Sequence, residues 1–486
     1  MKRFFVLLYV ITYCSSFAQW NPYYLPYQGI ANALDFYGNN GVAAGHTLFP
    51  FNEQLYVTTD FGSSWILSTY PPNLRALTAV QFVNSVIVYA GGAENLPLNT
   101  SVKIDKNFSC LPFHLKATSQ MKGIDGSYNE YKASFIKSSN GGISWIKIGQ
   151  FDTTTGYIND IQFFNENTGF AIIDSGSLGN SRVLKTTNGG LNWIAISIEP
   201  YLRLSRIYFL NPTTGFVCGD RSDTNLLSGL YGIVFKTTDG GVSWNSENFL
   251  FTNSMVDVVF LNSNTGFMLG NGNWNGYVNE SGAKIYKTTN GGAGWDSTQF
   301  VYSVIPTAIR CIQGSEIAYA IGYYYDFYQM VGKITTMKTT NGGISWNIKF
   351  LNEDVYVIGL SLVNENIFFM SGGQSGQQAV VYKSTNGGTK IKNIGNLIPE
   401  YNKLYQNYPN PFNPATRIKF AVSSLEQIYL SVYDILGHEV RVIVNERLTP
   451  GIYEVGWNAK EFPSGIYYYR LKVGNYTETK KMLLLK

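Results

Sequence analysis

Short runs of alternating hydrophobic and polar residues fill most of the chain, and they follow a fixed order. DIQFF (160–164) alternates with a period of two, the turn NENTG (165–169) follows, and FAII (170–173) is a second apolar run. After a variable stretch come VLKTT (183–187), an NGG turn and LNWIAI (191–196). Period-two alternation bounded by turn residues indicates β-strands. The pattern therefore predicts units of four antiparallel strands.

The same unit is repeated along the chain at constant spacing. It returns in RIYFLNPTTGFVCG (206–219) and DVVFLNSNTGFMLG (257–270), and the Trp residues at 193, 244, 295 and 346 follow one another at intervals of 51 residues. A period near 50 with four short strands favours a β-propeller. Only one inner-strand pattern lies between Trp65 and Trp145, so we assign this interval to one blade with an insertion at about 93–132. The predicted fold is all-β, with seven blades over residues 19–392.

A turn motif separates the third and fourth strands of every predicted blade. Its best copies are KTTNGGLNW (185–193), KTTDGGVSW (236–244) and KTTNGGISW (338–346). The Asp or Asn of this motif hydrogen-bonds its own turn, Gly accepts a positive φ, and Trp supplies a large apolar anchor between blades. The motif residues are Asp60, Trp65, Asn140, Trp145, Asn188, Trp193, Asp239, Trp244, Asn290, Trp295, Asn341, Trp346 and Asn386. The last copy has Ile391 in place of Trp.

These repeats resemble the Asp-box (BNR) repeat. Together with the N-T-G-F turns, they resemble extracellular propellers of the photosystem II assembly-factor type. The resemblance implies a structural role for the motif, with ion binding by its side chains as the minor alternative. Sialidases and xyloglucan-cleaving glycosidases also use Asp-box propellers, so the activity has to be judged from other residues.

The two ends of the sequence predict export. Lys2 and Arg3, the apolar run FFVLLYVI (4–11) and the small residues before Gln19 form a signal peptide over residues 1–18. No later run is long enough for a transmembrane segment. A net charge of +4 with dispersed Lys and Arg gives no sign of nucleic-acid binding. With three His and no metal-type Cys spacing, we predict neither a metal site nor a cofactor.

A second domain follows the repeats. Residues 393–406 read as a linker, and NYPNPFNPATRIKFAV (407–422) combines three closely spaced prolines with an alternating strand. Further strand patterns lie at 428–440, 451–457 and 465–473. About 80 residues of this kind predict a small Ig-like β-sandwich over 407–486.

This domain resembles the type A C-terminal sorting domain of the type IX secretion system of Bacteroidota. The residues that carry the resemblance are Pro409, Asn410, Pro411, Phe412, Gly465, Tyr467 and Lys480. The resemblance implies recognition by the type IX secretion machinery, removal of the domain during export, and attachment of the remainder to surface lipopolysaccharide. The implied location is the outer cell surface or the medium. The alternative is an ordinary sandwich that binds a ligand itself.

Charged residues stand out in one column of the inner strands. Aligning the strands gives Ala33, Ala79, Asp160, Arg206, Asp257, Arg310 and Gly359, so four consecutive blades alternate acid and base. One interpretation is a set of salt bridges between blades that keeps their register. The other is a polar mouth of the central channel that binds a ligand. Asp160 and Asp257 form the one obvious carboxylate pair for catalysis.

Aromatic residues are concentrated in the predicted loops between the second and third strands. NGNWNGY (271–277) contributes Trp274 and Tyr277, and YYYDFY (323–328) contributes Tyr324 and Phe327. Exposed rings beside Asn and Gly suit stacking on sugars or peptides. The equally weighted alternative is that these rings cover the core.

Three functions follow from these observations. The first is a secreted or surface-displayed propeller that binds a glycan or protein without catalysis. The second is a glycoside hydrolase, which would need two carboxylates facing each other across the channel. The third is an assembly factor for a membrane complex, which the sorting domain argues against. None of the six propeller Arg residues has a recognisable sialidase context.

Overall fold

The structure is a computed structural model. It describes residues 20–47, 53–95, 131–149, 156–174, 181–196, 198–222, 230–249, 252–272, 282–326, 331–351, 355–364, 367–373, 378–384, 391–395, 399–424, 426–448, 450–460 and 462–486. Within these ranges the regular structure is all β. The chain divides into two compact units, one spanning Asn21–Lys383 and the other including Ser384–Lys486.

The first unit consists of short strands with the predicted spacing. In chain order they are β1 Trp20–Tyr37, β2 Asn40–Thr47, β3 Glu53–Thr58, β4 Ile66–Leu67, β5 Leu74–Phe82, β6 Val88–Asn95, β7 Tyr131–Ser138, β8 Ile146–Ile148, β9 Tyr157–Phe163, β10 Gly169–Asp174, β11 Arg182–Thr186, β12 Ile194–Ile196, β13 Leu202–Phe209, β14 Gly215–Ser222, β15 Leu230–Thr237, β16 Asn245–Phe249, β17 Thr252–Phe260, β18 Gly266–Gly272, β19 Gly282–Thr288, β20 Asp296–Tyr302, β21 Val304–Cys311, β22 Ala318–Asp326, β23 Val331–Thr339, β24 Asn347–Leu351, β25 Tyr356–Leu362, β26 Phe368–Gly373 and β27 Gln378–Ser384.

These strands form seven blades. Strands β5 to β24 make five four-stranded antiparallel sheets of consecutive strands, which are blades 2 to 6. The remaining strands form one sheet in the order β25-β26-β27-β1-β2-β3-β4. The 18-residue β1 serves two blades, because its residues 29–37 pair with β2 while β1 also lies beside β27. Residues 20–28 are thus the outermost strand of blade 7, and the rest of β1 is the innermost strand of blade 1.

This closure differs from the repeat pattern at the seventh turn motif. Asn386 lies outside the described residues, and the segment that begins at Ile391 joins the second unit rather than blade 7. The N-terminal strand brings buried Leu25 and Tyr27 into the seam between blades 7 and 1. Because this strand already covers the outer edge of blade 7, the last motif copy has no outer strand to anchor and no need of a Trp.

The predicted insertion lies within a single blade. Strands β6 and β7 pair along their full lengths, from Val88 with Ser138 to Asn95 with Tyr131. The ends of the predicted insertion at 93–95 and 131–132 are therefore strand residues. Residues 96–130 lie outside the described part of the chain.

Aromatic rings fill the seams between neighbouring blades. Tyr89 stacks on Phe163 at 3.7 Å, and Phe170 stacks on Phe209 at 4.1 Å. These rings are almost fully buried, and each contributes roughly 2–3 kcal/mol from the apolar area removed from water. Aromatic rings on the second strand of one blade and on the inner strand of the next therefore join adjacent blades.

The second unit is a small β-sandwich. Its strands are β28 Ile391–Gly395, β29 Lys403–Leu404, β30 Ala415–Val422, β31 Glu426–Tyr433, β32 Glu439–Leu448, β33 Gly451–Asn458, β34 Gly465–Val473 and β35 Tyr476–Leu484. They form two sheets, in the orders β28-β33-β30-β29 and β32-β31-β34-β35, around a core that includes Phe420, Leu430 and Tyr469. β28 and β29 lie at 391–395 and 403–404, so the sandwich begins earlier than the predicted boundary at 407. These strands are too short for their alternation to be recognised in the sequence.

Candidate functional site

Each inner strand contains a β-bulge. The position of this bulge determines which residues of the seven inner strands are equivalent, that is, lie at the same height along the channel. The register of all seven inner strands shifts at the same place, for example between Leu204 and Arg206 in β13 and between Met255 and Asp257 in β17. In β21 the shift falls between Pro306 and Ala308. The residue level with Asp160, Arg206 and Asp257 is therefore Ala308.

The predicted position of Arg310 in this column is wrong by two residues. Arg310 pairs with Tyr319, whereas Ala308 pairs with Ile321 at the level of the aspartates. Arg310 is thus level with Asp35, Gln81 and Gln162 on the other inner strands. The misalignment arose because the apolar run of β21 is broken by Pro306 and gives no unique alignment from the sequence.

The four charged residues nevertheless form one continuous ion-paired chain across blades 3 to 6. An Arg206 guanidinium nitrogen lies 3.0 Å from Asp160, and its Nε lies 3.4 Å from Asp257. Arg310 lies 2.5 Å from the other oxygen of Asp257. Both aspartates also accept backbone N–H groups of the next blade, from Ile207 and Ile309 respectively. The chain ties each blade to its neighbour.

Burial shapes the electrostatics of this chain. Burial raises the pKa of Asp160, and the nearby Arg206 guanidinium opposes the shift. Although burial opposes it, Asp160 and Asp257 raise the pKa of Arg206 above its ordinary value. Burial also raises the pKa of Cys218, so this thiol stays protonated. Carboxylates that are held by a guanidinium and by a backbone N–H of the next blade keep neighbouring blades in register.

Asp35 makes the equivalent connection where the ring closes. Its two oxygens accept the Ser361 hydroxyl of blade 7 at 3.1 Å and the Phe82 N–H of blade 2 at 2.8 Å. Burial raises the pKa of Asp35 to about 6, and these bonds together with Arg310 limit the rise. No sequence pattern singled out Asp35, because its neighbours on either side, Leu34 and Phe36, are apolar.

Two glutamines cover the open edges of inner strands. The Gln81 side chain accepts the N–H of Phe163 at 2.6 Å and donates to its carbonyl at 3.1 Å. Gln162 makes the same pair of bonds to Phe209. An inner strand has backbone groups that no ladder satisfies, and a primary amide matches them with one donor and one acceptor. These side chains connect blades 2, 3 and 4.

The turn motifs share one hydrogen-bonding scheme. Oδ1 of Asp239 accepts the backbone N–H groups of Val242 and Ser243, both at 2.9 Å. The hydroxyl of Thr237 donates to Asp239 and accepts the N–H of Gly241. Equivalent bonds surround the other described motif residues, Asp60, Asn140, Asn188, Asn290 and Asn341. The paired glycines have positive φ, for example 72° and 86° at Gly240 and Gly241.

The motif Trp residues lie between their own blade and the preceding one. Trp193 stacks on Phe135 of blade 2 at 4.5 Å and meets Phe163 of blade 3 edge-on. Trp65, Trp145 and Trp346 are buried, and Trp244 and Trp295 are half-buried. The geometry is that of a wedge at the outer end of each seam.

No role was predicted from the sequence for the Lys residue that begins most copies of the turn motif, although this Lys recurs from copy to copy. Lys185 donates to the carbonyl of Gly240 at 3.0 Å, and Lys236 donates to that of Gly291 at 2.7 Å. Lys383 donates to Phe61 at 2.6 Å, which links blade 7 to blade 1. Each ammonium thus reaches the turn motif of the next blade. The ammonium groups also lie over aromatic rings, such as Phe170 and Phe216.

The aromatic loop candidates have different outcomes. Trp274, Tyr277 and Phe327 lie outside the described residues. Tyr324 lies in β22, where it is half-buried against the core of blade 6 and meets Phe350 edge-on at 5.3 Å. Packing against the core is the role that these contacts support for Tyr324.

A polar cluster that was also missed in the sequence lies on the face of the propeller that carries the loops between second and third strands. We call this side of the ring the loop face. Arg203 binds Asp220 through Nε at 2.8 Å, and Arg221 pairs with Glu199. Just before β13, Tyr201 exposes 49% of its surface and has a φ of 61°. A bulky residue in the left-handed region is strained, and such strain is concentrated at functional sites. The fourth-to-first strand connections lie on the face opposite the turn motifs, so Tyr201 stands on the loop face.

Neither a metal-binding cluster nor a membrane-spanning helix is present in the described residues. No group of three or more His, Cys, Asp or Glu side chains is arranged to hold a metal ion there. Within the same residues, no helix is long and apolar enough to cross a membrane.

The predicted sorting residues cover one edge of the sandwich. Asn410 accepts the N–H of Leu483, and Phe412 exchanges backbone bonds with Leu483 and Leu485. The Phe412 ring is buried 5.5 Å from Trp457. These contacts satisfy the outer edge of β35, which would otherwise offer unpaired N–H and C=O groups.

The other sorting residues lie on or beside this sheet. Pro409 and Pro411 follow cis peptide bonds. Gly465 begins β34, and buried Tyr467 donates to the Pro463 carbonyl at 2.8 Å. Lys480 pairs with Glu478 at 3.0 Å on β35. Most of the recognised residues therefore lie on or beside β34 and β35, whereas the Pro409 carbonyl accepts the Thr416 hydroxyl on β30 of the other sheet.

Comparison with known proteins identifies the second unit. Residues 406–485 match the model of the secretion system C-terminal sorting domain family, Por_Secre_tail. This match indicates export through the type IX secretion system to the cell surface or the exterior. No curated protein sequence matches the chain.

Solved structures resemble the chain in fold. PorZ, a surface component of the type IX secretion system of Porphyromonas gingivalis, aligns with a TM-score of 0.52 and 10% identity, covering 95% of this chain and 61% of PorZ. YCF48 bound to a D1 peptide aligns with a TM-score of 0.49 and 13% identity, covering 76% and 95%. A PL25 ulvan lyase aligns with a TM-score of 0.47 and 9% identity, covering 75% and 95%. At such identities PorZ supports the propeller fold alone.

Proposed function

We propose that this protein is a non-catalytic propeller that binds a glycan or protein outside the cell. The observation that carries the proposal is the use of the channel charges. Asp160 and Asp257 are both held by Arg206, and each also accepts a backbone N–H from the next blade. Because these two carboxylates are committed to joining blades, we expect no acid and base pair for catalysis among the described residues of the channel.

The loop face is the surface that we assign to binding. Tyr201 presents a half-exposed ring there, close in the chain to the Arg203–Asp220 pair and to Glu199, the partner of Arg221. An exposed ring beside charged and hydrogen-bonding groups suits stacking on a sugar ring or a peptide side chain. In the sequence, Trp274, Tyr277 and Phe327 lie in predicted loops between second and third strands. We include these three residues in the proposed binding surface.

The two alternatives have less support. A glycoside hydrolase needs one protonated and one ionised carboxyl group placed on either side of a bond. Asp160 and Asp257 are instead joined by one guanidinium. An assembly factor for an internal membrane complex would have to remain in the cell, whereas the sorting domain directs export.

Location is the first part of the proposal to test. We expect the signal peptide to be cut after Ala18, the sandwich to be removed, and the remainder to be anchored to lipopolysaccharide. The mature product should then lie on the cell surface and lack the C-terminal unit. Cell fractionation with intact-mass measurement of the mature protein checks this expectation. A full 19–486 chain retained in the periplasm would remove export from the proposal.

Binding is tested with a matched pair of tyrosines. Tyr201 on the loop face and Tyr37 on the turn-motif face are both 49% exposed. We expect Tyr201→Ala to weaken glycan-array or peptide-array binding about three- to tenfold, the worth of one ring contact. Tyr37→Ala should leave binding unchanged. Equal effects of the two substitutions, or hydrolysis of an array glycan by the wild type, would contradict the proposal.

A further inference from the structure

Two segments of this chain fit the same place in the propeller, the outer edge of blade 7. In blades 1 to 6 the outer strand starts six residues after the Asp or Asn of the turn motif, as β24 does after Asn341. β28 starts five residues after Asn386 and so occupies the sequence position of a seventh outer strand. In the structure that place belongs to residues 20–28, at the opposite end of the chain.

β28 is held in the sandwich from one side only. It pairs with β33 from Ile391–Val455 to Gly395–Ile452, with a register shift between Asn393 and Gly395. On its other side β33 pairs with β30 along its whole length. The sandwich sheet would therefore keep β33, β30 and β29 if β28 left it.

We propose that the outer edge of blade 7 is a strand-exchange site with two mutually exclusive occupants, residues 20–28 and Ile391–Gly395. When the N-terminal strand docks on β27, Ile391–Gly395 is released to the sandwich. When the N-terminal strand is absent, Ile391–Gly395 docks on β27 and the sandwich loses an edge strand. Occupancy of the blade is thereby coupled to the sheet of the sorting domain.

The physical basis is the outer edge of β27, which β1 covers in the structure and which would be open if residues 20–28 were absent. A strand edge with free N–H and C=O groups takes up a neighbouring strand, and exchange between two strands conserves backbone hydrogen bonds. Side chains decide the preference. Residues 20–28 bury Leu25 completely and stack Tyr27 on Tyr56 at 5.7 Å, which favours the arrangement in the structure.

A pair of engineered disulfides reports the exchange. Lys392 and Lys419 are the Cα partners of Glu454 on its two sides. Partners in adjacent antiparallel strands are close enough for a disulfide. Lys392→Cys with Glu454→Cys therefore detects β28 in the sandwich, and Lys419→Cys with Glu454→Cys is the control for an intact sandwich. Peptide mass mapping distinguishes these cross-links from any that involve native cysteines.

The cross-links are compared in chains that start at residue 20 and at residue 29. In the shorter chain we expect the 392–454 cross-link to fall about tenfold while the 419–454 cross-link is unchanged. Adding the free peptide WNPYYLPYQ, residues 20–28, should restore it. An equal 392–454 yield in both chains overturns the proposal. So does a shorter chain that does not fold, because the replacement strand should close the blade.

A proline substitution gives an independent test. Ile394→Pro removes a backbone donor from the exchanging segment. We expect it to lower the melting temperature of the propeller in the chain from residue 29 and to leave it unchanged in the chain from residue 20. The same effect in both chains, or no effect in either, contradicts the exchange.

Discussion

At the residue scale, the turn motif accepts either Asp or Asn, because only the hydrogen bond to the following Ser hydroxyl reverses its direction between the two. Oδ1 accepts the same backbone N–H groups in both cases. Asp239 Oδ2 accepts the Ser243 hydroxyl, whereas Asn140 Nδ2 donates to the Ser144 hydroxyl at 2.8 Å. A hydroxyl is both donor and acceptor, so it serves either residue.

Asp239→Asn should therefore leave stability at pH 7 unchanged and reduce sensitivity to acid. Bonds from the Ser243 hydroxyl and N–H and from Thr237 lower the pKa of Asp239 to about 2. A lowered folded-state pKa gives stability that is present above about pH 4 and is lost as the pH falls towards 2. Melting temperatures at pH 7 and pH 3 measure the change. A variant that loses stability equally at both pH values would contradict the shared bonding scheme.

At the element scale, the propeller is held together by side chains that reach from one blade to the next. The recurring Lys residues connect the third strand of a blade to the next turn motif. The glutamines cover inner-strand edges, and the tryptophans fill the outer ends of the seams. Each blade therefore depends on its neighbours, as expected for a repeat whose units cannot bury their faces alone.

Lys236→Met should destabilise the propeller by about 1–2 kcal/mol through loss of one charged hydrogen bond and one cation–π contact. The Gly291 carbonyl loses its ammonium donor, and Phe216 loses its cation at 5.9 Å. Urea unfolding of the propeller measures the difference. Lys236→Arg keeps a cationic donor and should recover most of the loss. Equal stability of the two variants would show that the charge contributes nothing.

At the scale of the whole molecule, the described Asp–Arg ion pairs between inner strands lie on one side of the ring. Blades 3 to 6 share the chain of Asp160, Arg206, Asp257 and Arg310. The closing seam relies on Asp35 and on the N-terminal strand. In addition to the recurring Lys, Gln and Trp contacts, the ring therefore uses ion pairs in the middle of the chain and a shared strand at its ends.

Arg206→Met should cost about 3 kcal/mol, because it leaves Asp160 buried without a cation. Asp257 keeps Arg310 as its partner. Adding Asp160→Asn to Arg206→Met should recover much of the loss, since no unpaired charge remains. The free energies of unfolding of the wild type, Arg206→Met, Asp160→Asn and the double variant form a double-mutant cycle. Additive losses would show that the two side chains are not coupled.

Asp35→Asn should change how stability depends on pH. Burial raises the pKa of Asp35 from 3.8 to about 6, so its stabilising contribution is full below about pH 4 and is lost as the pH rises through 6. The loss is at most about 3 kcal/mol, at about 1.4 kcal/mol per pKa unit. Relative to wild type, Asp35→Asn should gain stability between pH 5 and pH 8 in urea unfolding. A constant difference across that range would contradict the assignment.

The sequence by itself determined the features that each unit carries locally. Period-two alternation, the Asn-Gly-Gly turns and the 51-residue spacing of Trp193, Trp244, Trp295 and Trp346 predict the all-β propeller, which the structure confirms. The proline-rich segment around Phe412 and the strands after it predict the sandwich, and the resemblance of this segment to the type IX sorting domain is confirmed by the family match. These signals are local, because a turn or an alternating strand needs only neighbouring residues.

The tertiary structure alone decided what depends on register and on contacts between distant segments. Arg310 lies two residues beyond the predicted column, because the apolar run of β21 is broken by Pro306 and several alignments with the other inner strands fit it equally well. The closure of blade 7 by residues 20–28, rather than by the segment after Asn386, depends on packing of Leu25 and Tyr27 across the ring. Both outcomes depend on burial and hydrogen bonding between segments that are far apart in the chain, and such contacts leave no local pattern in the sequence.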